Sequence, residues 1–145
     1  MLTIDQDFNA WLLGQAAALR ERDYEAIDWD NLAEEIEAMA RSERREVKNR
    51  LTIILIHLLK LKFEQGQMGH RHGWRSSVIE QRRQIANTLE VSPGLFQGKR
   101  EEVLVKAYGD ARRDAALESQ LPTTTFPEEC PWLYEQVMDT EFFPV

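Results

Sequence analysis

Cysteine occurs once in the 145 residues, at Cys130. That excludes an internal disulfide framework and a cysteine-rich zinc site, and it fits a reducing compartment, so cytoplasmic residence is the expectation. Long hydrophobic runs are missing too. The longest, Ile53–Leu59, contains His57 and is far too short to span a bilayer, so no membrane partner is expected. Residues Met1 to Asp7 lack a basic flank followed by an apolar stretch, which argues against a secretory signal. No segment alternates apolar and polar residues for long enough to read as a strand, and no internal repeat is present.

What is present is ordinary globular composition, 43% hydrophobic and 30% charged, in a length that suits one helical domain over residues 1–145. The net charge of −7 is unevenly placed. Residues 1–40 hold ten acids and two bases, residues 41–113 hold eight acids and sixteen bases, and residues 114–145 hold seven acids and no base. A basic middle between acidic ends reads first as internal charge complementarity, and second as a surface for phosphate or nucleic acid.

Helical periodicity accounts for most of the chain. Residues 7–22 place Phe8, Leu12 and Leu19 on one stripe with Trp11 and Ala18 on its flank, and Asp5 or Asp7 is available as N-cap. Asp23–Asp30 suits a connector or a single turn, with Asp28 or Asp30 capping the next helix. From Asn31 to Gln65 there is neither proline nor glycine, and Leu32, Ile36, Met39, Val47, Leu51, Ile54, Leu58 and Leu61 recur at 3.6-residue spacing. Such a helix is roughly 50 Å long, against roughly 40 Å for the breadth of a compact domain of this size. It must therefore protrude, be shared, or bend, most naturally near Ala40–Ser42.

Gly66, Gly69 and Gly73 then predict a loop, followed by an antiparallel partner helix over residues 74–90 that ends at Ser92-Pro93-Gly94. A further helix is predicted over 98–118, with Val103, Leu104, Ala107, Tyr108, Ala111 and Ala115 on one broad face. Leu121–Pro127 reads as extended because Pro122 and Pro127 disfavour helix before them, and a last short helix is predicted from Pro131 to Met138. The predicted class is all-α: a helical bundle with one long central helix, its antiparallel partner and flanking helices.

Six ordered blocks carry a resemblance: Asn31-Leu-Ala-Glu-Glu-Ile-Glu; Ser42-Glu-Arg-Arg-Glu; the stretch around His57-Leu-Leu-Lys; Trp74 with Gln81-Arg82-Arg83; Ala107-Tyr-Gly-Asp-Ala-Arg112; and Phe126-Pro-Glu-Glu-Cys-Pro-Trp132. Together they resemble a bacterial family catalogued as domain of unknown function, family twenty-nine, over nearly the whole chain. The resemblance implies a helical fold and a bacterial source. It implies no activity and no catalytic residues.

On a helical wheel centred on Ile54, Glu43, Arg50 and His57 fall within about 60° of the apolar stripe's centre, with Glu46 just beyond. Polar groups there need partners, because an unpaired buried charge costs several kcal/mol. Arg82 and Gln81 on the antiparallel helix are the natural ones. Glu43, Glu46, Arg50, His57 and Arg82 thus form either a register-fixing network or a polar pocket in which the arginines hold a small anion and His57 exchanges a proton. The Glu-x-x-His spacing of carboxylate-bridged metal bundles is absent.

His70 and His72 have no third metal ligand close by, and read as loop polarity. Arg71, His72, Trp74 and Arg75 offer cations beside an aromatic, but without a nucleic-acid motif and with a negative net charge nucleic acid is not the expected partner. Cys130 has Glu129 and Glu128 for neighbours and no nearby base, so it reads as an inert thiol. Trp11, Trp29, Trp74 and Trp132 read as core or interface anchors. Without a phosphate loop, a nucleophile elbow or a catalytic triad order, no cofactor is indicated. Two functions stand open: a helical protein–protein interaction module that self-associates as a homo-oligomer, and a small-ligand or anion-binding protein built on the polar cluster.

Overall fold

The computed structural model describes residues 3–66 and 68–145, and among them there is no strand. Five α-helices follow in order: α1 (Phe8–Glu21), α2 (Trp29–Phe63), α3 (Arg71–Val91), α4 (Arg100–Ser119) and α5 (Tyr134–Met138). Single 3-10 turns occupy Tyr24–Ala26, Met68–His70 and Thr123–Thr125. The fold is the all-α bundle that the periodicity predicts. No helix among the described residues is long and apolar enough to cross a membrane.

The chain divides into two compact units, Met1–Ser42 and Glu43–Val145. Helix α2 is unbroken through Ala40–Ser42, and its residues belong to both units.

In the first unit, Asp7 caps α1 by accepting from the Ala10 backbone N–H at 3.0 Å. Arg22 ends the helix in the left-handed region (φ 55°), where its N–H reaches the orphan carbonyls of Ala18 and Leu19. The buried side of α1 is Trp11, Gln15 and Ala18 rather than the stripe Phe8, Leu12 and Leu19, which faces solvent. A polar residue sets this orientation. The Gln15 amide donates to the Ala26 carbonyl (3.2 Å) and accepts from the Asp28 N–H (2.7 Å), so it fastens α1 to the turn before α2.

In the second unit, α2 supplies Val47, Leu51, Ile54, Leu55, Leu58 and Leu59 to the core. Helix α3 adds Val78 and Ile85, and α4 adds Leu104, Ala107, Tyr108, Ala111 and Ala115. Phe126, Trp132, Tyr134 and Val137 close the core from the segment after α4. The alanine-rich face of α4 permits close approach, as its pattern predicts. Predicted and observed boundaries differ at α3, which starts at Arg71 and takes in Gly73. Gly73 is an exposed residue of the first turn, where glycine costs a helix least. The segment predicted as extended holds a turn at Thr123–Thr125, and α5 starts at Tyr134, where Gln136 Oε1 accepts from the Leu133 N–H at 2.9 Å.

Candidate functional site

The five polar residues singled out from the sequence all lie in the second unit, and they occupy separate settings. Arg50, half-buried on α2, donates to Gln81 Oε1 on α3 at 3.0 Å and to Glu46 Oε1, one turn back, at 2.9 Å. Glu46 is exposed, and Glu43 is half-buried without a side-chain hydrogen bond among those described. Close to this group, Glu80 accepts from Arg83 and Gln84. These hydrogen bonds, helped by the positive charges of Arg83 and Arg50, hold its carboxyl below the ordinary glutamate value. The predicted contact between the two helices is therefore carried by Arg50 and Gln81, not by Arg82.

His57 sits two helical turns further along α2. Its Nδ1 is buried without a hydrogen-bond partner. Burial, and next the Lys60 ammonium, push its pKa below the ordinary histidine value, while Glu118 acts in the opposite sense. Lys60 is buried, donates to Glu118 Oε1 at 3.2 Å and lies 5.6 Å from the Trp74 ring centre. One turn on, the buried Glu64 accepts from Ser119 Oγ at 2.5 Å. Lys60, Glu64, Glu118 and Ser119 thus tie the end of α2 to the end of α4. Composition gave no warning of this group, because its members lie 55 to 58 residues apart in pairs.

The His57 environment fixes a pH dependence. A histidine whose folded pKa is depressed takes up its proton more readily in the unfolded chain, so its contribution to stability is complete above 6.5 and falls as pH drops through the folded value. Urea unfolding followed from pH 7.5 downward should show stability declining below about 6.5. A His57→Gln variant should flatten that decline, and an unchanged slope would refute the assignment.

Arg82 turns the other way on α3. It is 2% exposed. Its Nε donates to the Val137 carbonyl and its Nη2 to the Phe142 carbonyl, both at 2.8 Å, with the Gln136 carbonyl at 3.5 Å. Val137 and Gln136 lie in the last turn of α5, and the Gln136 carbonyl also accepts from the Asp139 N–H at 3.2 Å. The Phe143 ring centre lies 5.0 Å from the guanidinium carbon. Burial lowers its pKa to about 10, with Asp139 opposing, so it remains a cation at neutral pH.

Cys130 is half-buried, and its thiol donates to the Trp132 carbonyl at 3.3 Å. Burial raises its pKa above the ordinary thiol value, the opposite of what a nucleophile needs. It borders a cavity of about 500 Å³ lined also by Leu104, Tyr108, Gly109 and Trp132, with Glu101, Glu128 and Glu129 alongside. The Tyr108 hydroxyl donates to the Pro127 carbonyl at 2.5 Å, and burial pushes its pKa up to about 12. Both polar groups of that floor are therefore neutral and engaged. Among the described residues no group of three or more His, Cys, Asp or Glu side chains is placed to hold a metal ion.

No curated protein and no solved structure matches the chain. The family model described as domain of unknown function DUF29 matches residues 3–143, nearly the entire length. The chain belongs to that family.

Proposed function

We propose that the protein is a helical interaction module that self-associates through its first unit. One observation carries this reading: among the described residues, Phe8, Leu12, Leu13, Leu19, Tyr24, Trp29, Ile36 and Met39 are all exposed within Met1–Ser42. Ile36 is 59% and Met39 72% exposed. Both belong to the same 3.6-residue stripe that buries Val47, Leu51, Ile54 and Leu58 further along α2. A core-type stripe that lacks cover is supplied with a matching one by a second copy.

Electrostatics oppose this contact. Residues 1–42 carry ten acids against Arg20, Arg22 and Arg41. Two such units repel, and the Debye length of about 8 Å at physiological ionic strength screens the repulsion only in part. Apolar burial of about 1.5–3 kcal/mol per large side chain must outweigh it. Association should therefore tighten as salt rises, the reverse of contact with a basic partner or a nucleic acid.

Sedimentation velocity across a range of protein concentrations tests this. The expected result is a reversible monomer–dimer equilibrium that tightens between low and physiological salt. Ile36→Asp combined with Met39→Asp should weaken it by at least about 100-fold. A strict monomer at every concentration and salt would overturn the reading.

A further inference from the structure

Glycine stands at Gly109, in the middle of α4, where it is the least favourable helix residue after proline. Nothing within the protein asks for it. Its φ is not positive, and a Cβ added there meets no atom within 4 Å, so neither backbone conformation nor close packing requires a bare Cα. Gly109 instead lines the cavity of about 500 Å³ between α4 and residues 128–132, and the lack of a side chain keeps that wall open. The volume falls within the roughly 300–1,000 Å³ typical of small-molecule sites.

The rest of the lining is one-sided in charge and in hydrogen bonding. Leu104, Val105 and Trp132 give it apolar surface, while Glu101, Glu128 and Glu129 bring carboxylates. No lysine, arginine or histidine lines it. Glu128 and Glu129 are exposed and have no ion-pair partner among the described residues. Glu101 lies 3.5 Å from Arg100, whose guanidinium is shared with Glu135, so the carboxylates outnumber the nearby cation. The Tyr108 hydroxyl and the Cys130 thiol have committed their protons to the carbonyls of Pro127 and Trp132. Among the lining side chains that leaves the Trp132 indole N–H as the one donor against many acceptors.

We infer that this cavity binds a small organic cation, an ammonium group on a hydrocarbon body. The body rests against Leu104, Val105 and Trp132 beside Gly109, and the ammonium faces Glu128 and Glu129. An ammonium brings three donors to a lining that is short of them, and its charge is the one the carboxylates attract. An anion meets those carboxylates with almost no donor to offset them. An uncharged ligand gains nothing from Glu128 and Glu129. A metal ion is disfavoured, because among the described residues no group of three or more His, Cys, Asp or Glu side chains is placed to hold one. The site lies wholly in Glu43–Val145 and does not depend on self-association of the first unit.

Phenethylamine is a suitable probe, with phenethyl alcohol, hydrocinnamate and ethylamine as controls for charge, charge sign and hydrocarbon body. Thermal unfolding of the full chain should show phenethylamine alone raising Tm, on the order of 5–10 °C at about 100 times its Kd. Gly109→Leu puts a side chain into the cavity from an exposed helical position. Because leucine favours helix over glycine, that variant should melt no lower than the parent, yet lose the phenethylamine response. Glu128→Gln combined with Glu129→Gln keeps the shape and removes the charge, and should also fold normally and lose the response. Titration calorimetry should show both losses. Equal responses to phenethylamine and phenethyl alcohol would leave the carboxylates without a role and overturn the proposal. So would equal responses to phenethylamine and ethylamine, a wild-type chain that ignores phenethylamine, or either variant responding as the parent does.

Discussion

Arg82→Met is expected to destabilise the protein by about 2–4 kcal/mol, because it leaves buried carbonyls without a donor at about 1–3 kcal/mol each while relieving part of the cost of the buried charge. Methionine keeps most of the side chain's length, so cavity formation contributes little. The loss is specific to the carbonyls of Val137 and Phe142, with the longer contact to Gln136. Hydrogen exchange should therefore accelerate most over residues 134–143, before the helix that bears the substitution. Arg82→Lys should fare little better than Met. A single ammonium on a flexible stem does not reproduce the planar fork that reaches Val137 and Phe142 at once. If urea unfolding placed Arg82→Met within about 0.5 kcal/mol of the parent, with exchange unchanged, the guanidinium would have no structural role.

The second large effect contrasts two positions on one helical stripe. Leu58 is completely buried in the core of the second unit, and Leu58→Ala should cost about 2–5 kcal/mol through lost transfer energy and the cavity left behind. Ile36, on the same stripe of α2 and 59% exposed, should cost no more than about 0.5 kcal/mol on replacement by alanine in dilute monomer. Equilibrium unfolding of both variants at low concentration measures the contrast directly. Similar losses at the two positions would show that Ile36 is covered within the monomer, which would remove the basis for self-association as well.

That pair also shows how far the sequence could be read. Periodicity identified α2 because thirty-five residues pass without proline or glycine, and the stripe at 3.6-residue spacing survived intact. Periodicity does not distinguish a covered stripe from an uncovered one. Ile36 and Met39 carry the same signal as Val47 and Leu51, and the difference depends on what packs against them. The same ambiguity misplaced the buried side of α1. Phe8, Leu12 and Leu19 are more apolar than the side that is buried, yet the Gln15 amide, donating to the Ala26 carbonyl and accepting from the Asp28 N–H, turns the helix.

The polar residues were legible as polar groups needing partners, but the partners were readable only where they are side chains. Arg50 meets Gln81, a residue that the hairpin argument pointed to. Arg82 meets backbone carbonyls, which every residue has and which leave no mark in a sequence. The buried pair Glu64 and Ser119, and Lys60 with Glu118, were hidden for a different reason. Each joins helices whose mutual rotation the sequence does not specify, and only the packing of α2 beside α4 brings them together. Arg22 and Gln120 end α1 and α4 in the left-handed region at φ 55° and 58° without the glycine that usually marks such a position, yet periodicity placed both helix ends to within one residue.

The attachment of Arg82 to residues 136–142 also sets an order of events during synthesis. Ribosomes deliver a chain from its amino end, and helices assemble as they emerge. Helices α2, α3 and α4 are all complete before Phe126, Trp132, Val137 and Phe142 exist. Throughout that interval a nascent chain carries an open apolar face and a cation whose acceptors have not yet been made. A pause in translation between residues 119 and 136 would therefore prolong the period in which this protein is most exposed to aggregation and most dependent on chaperones.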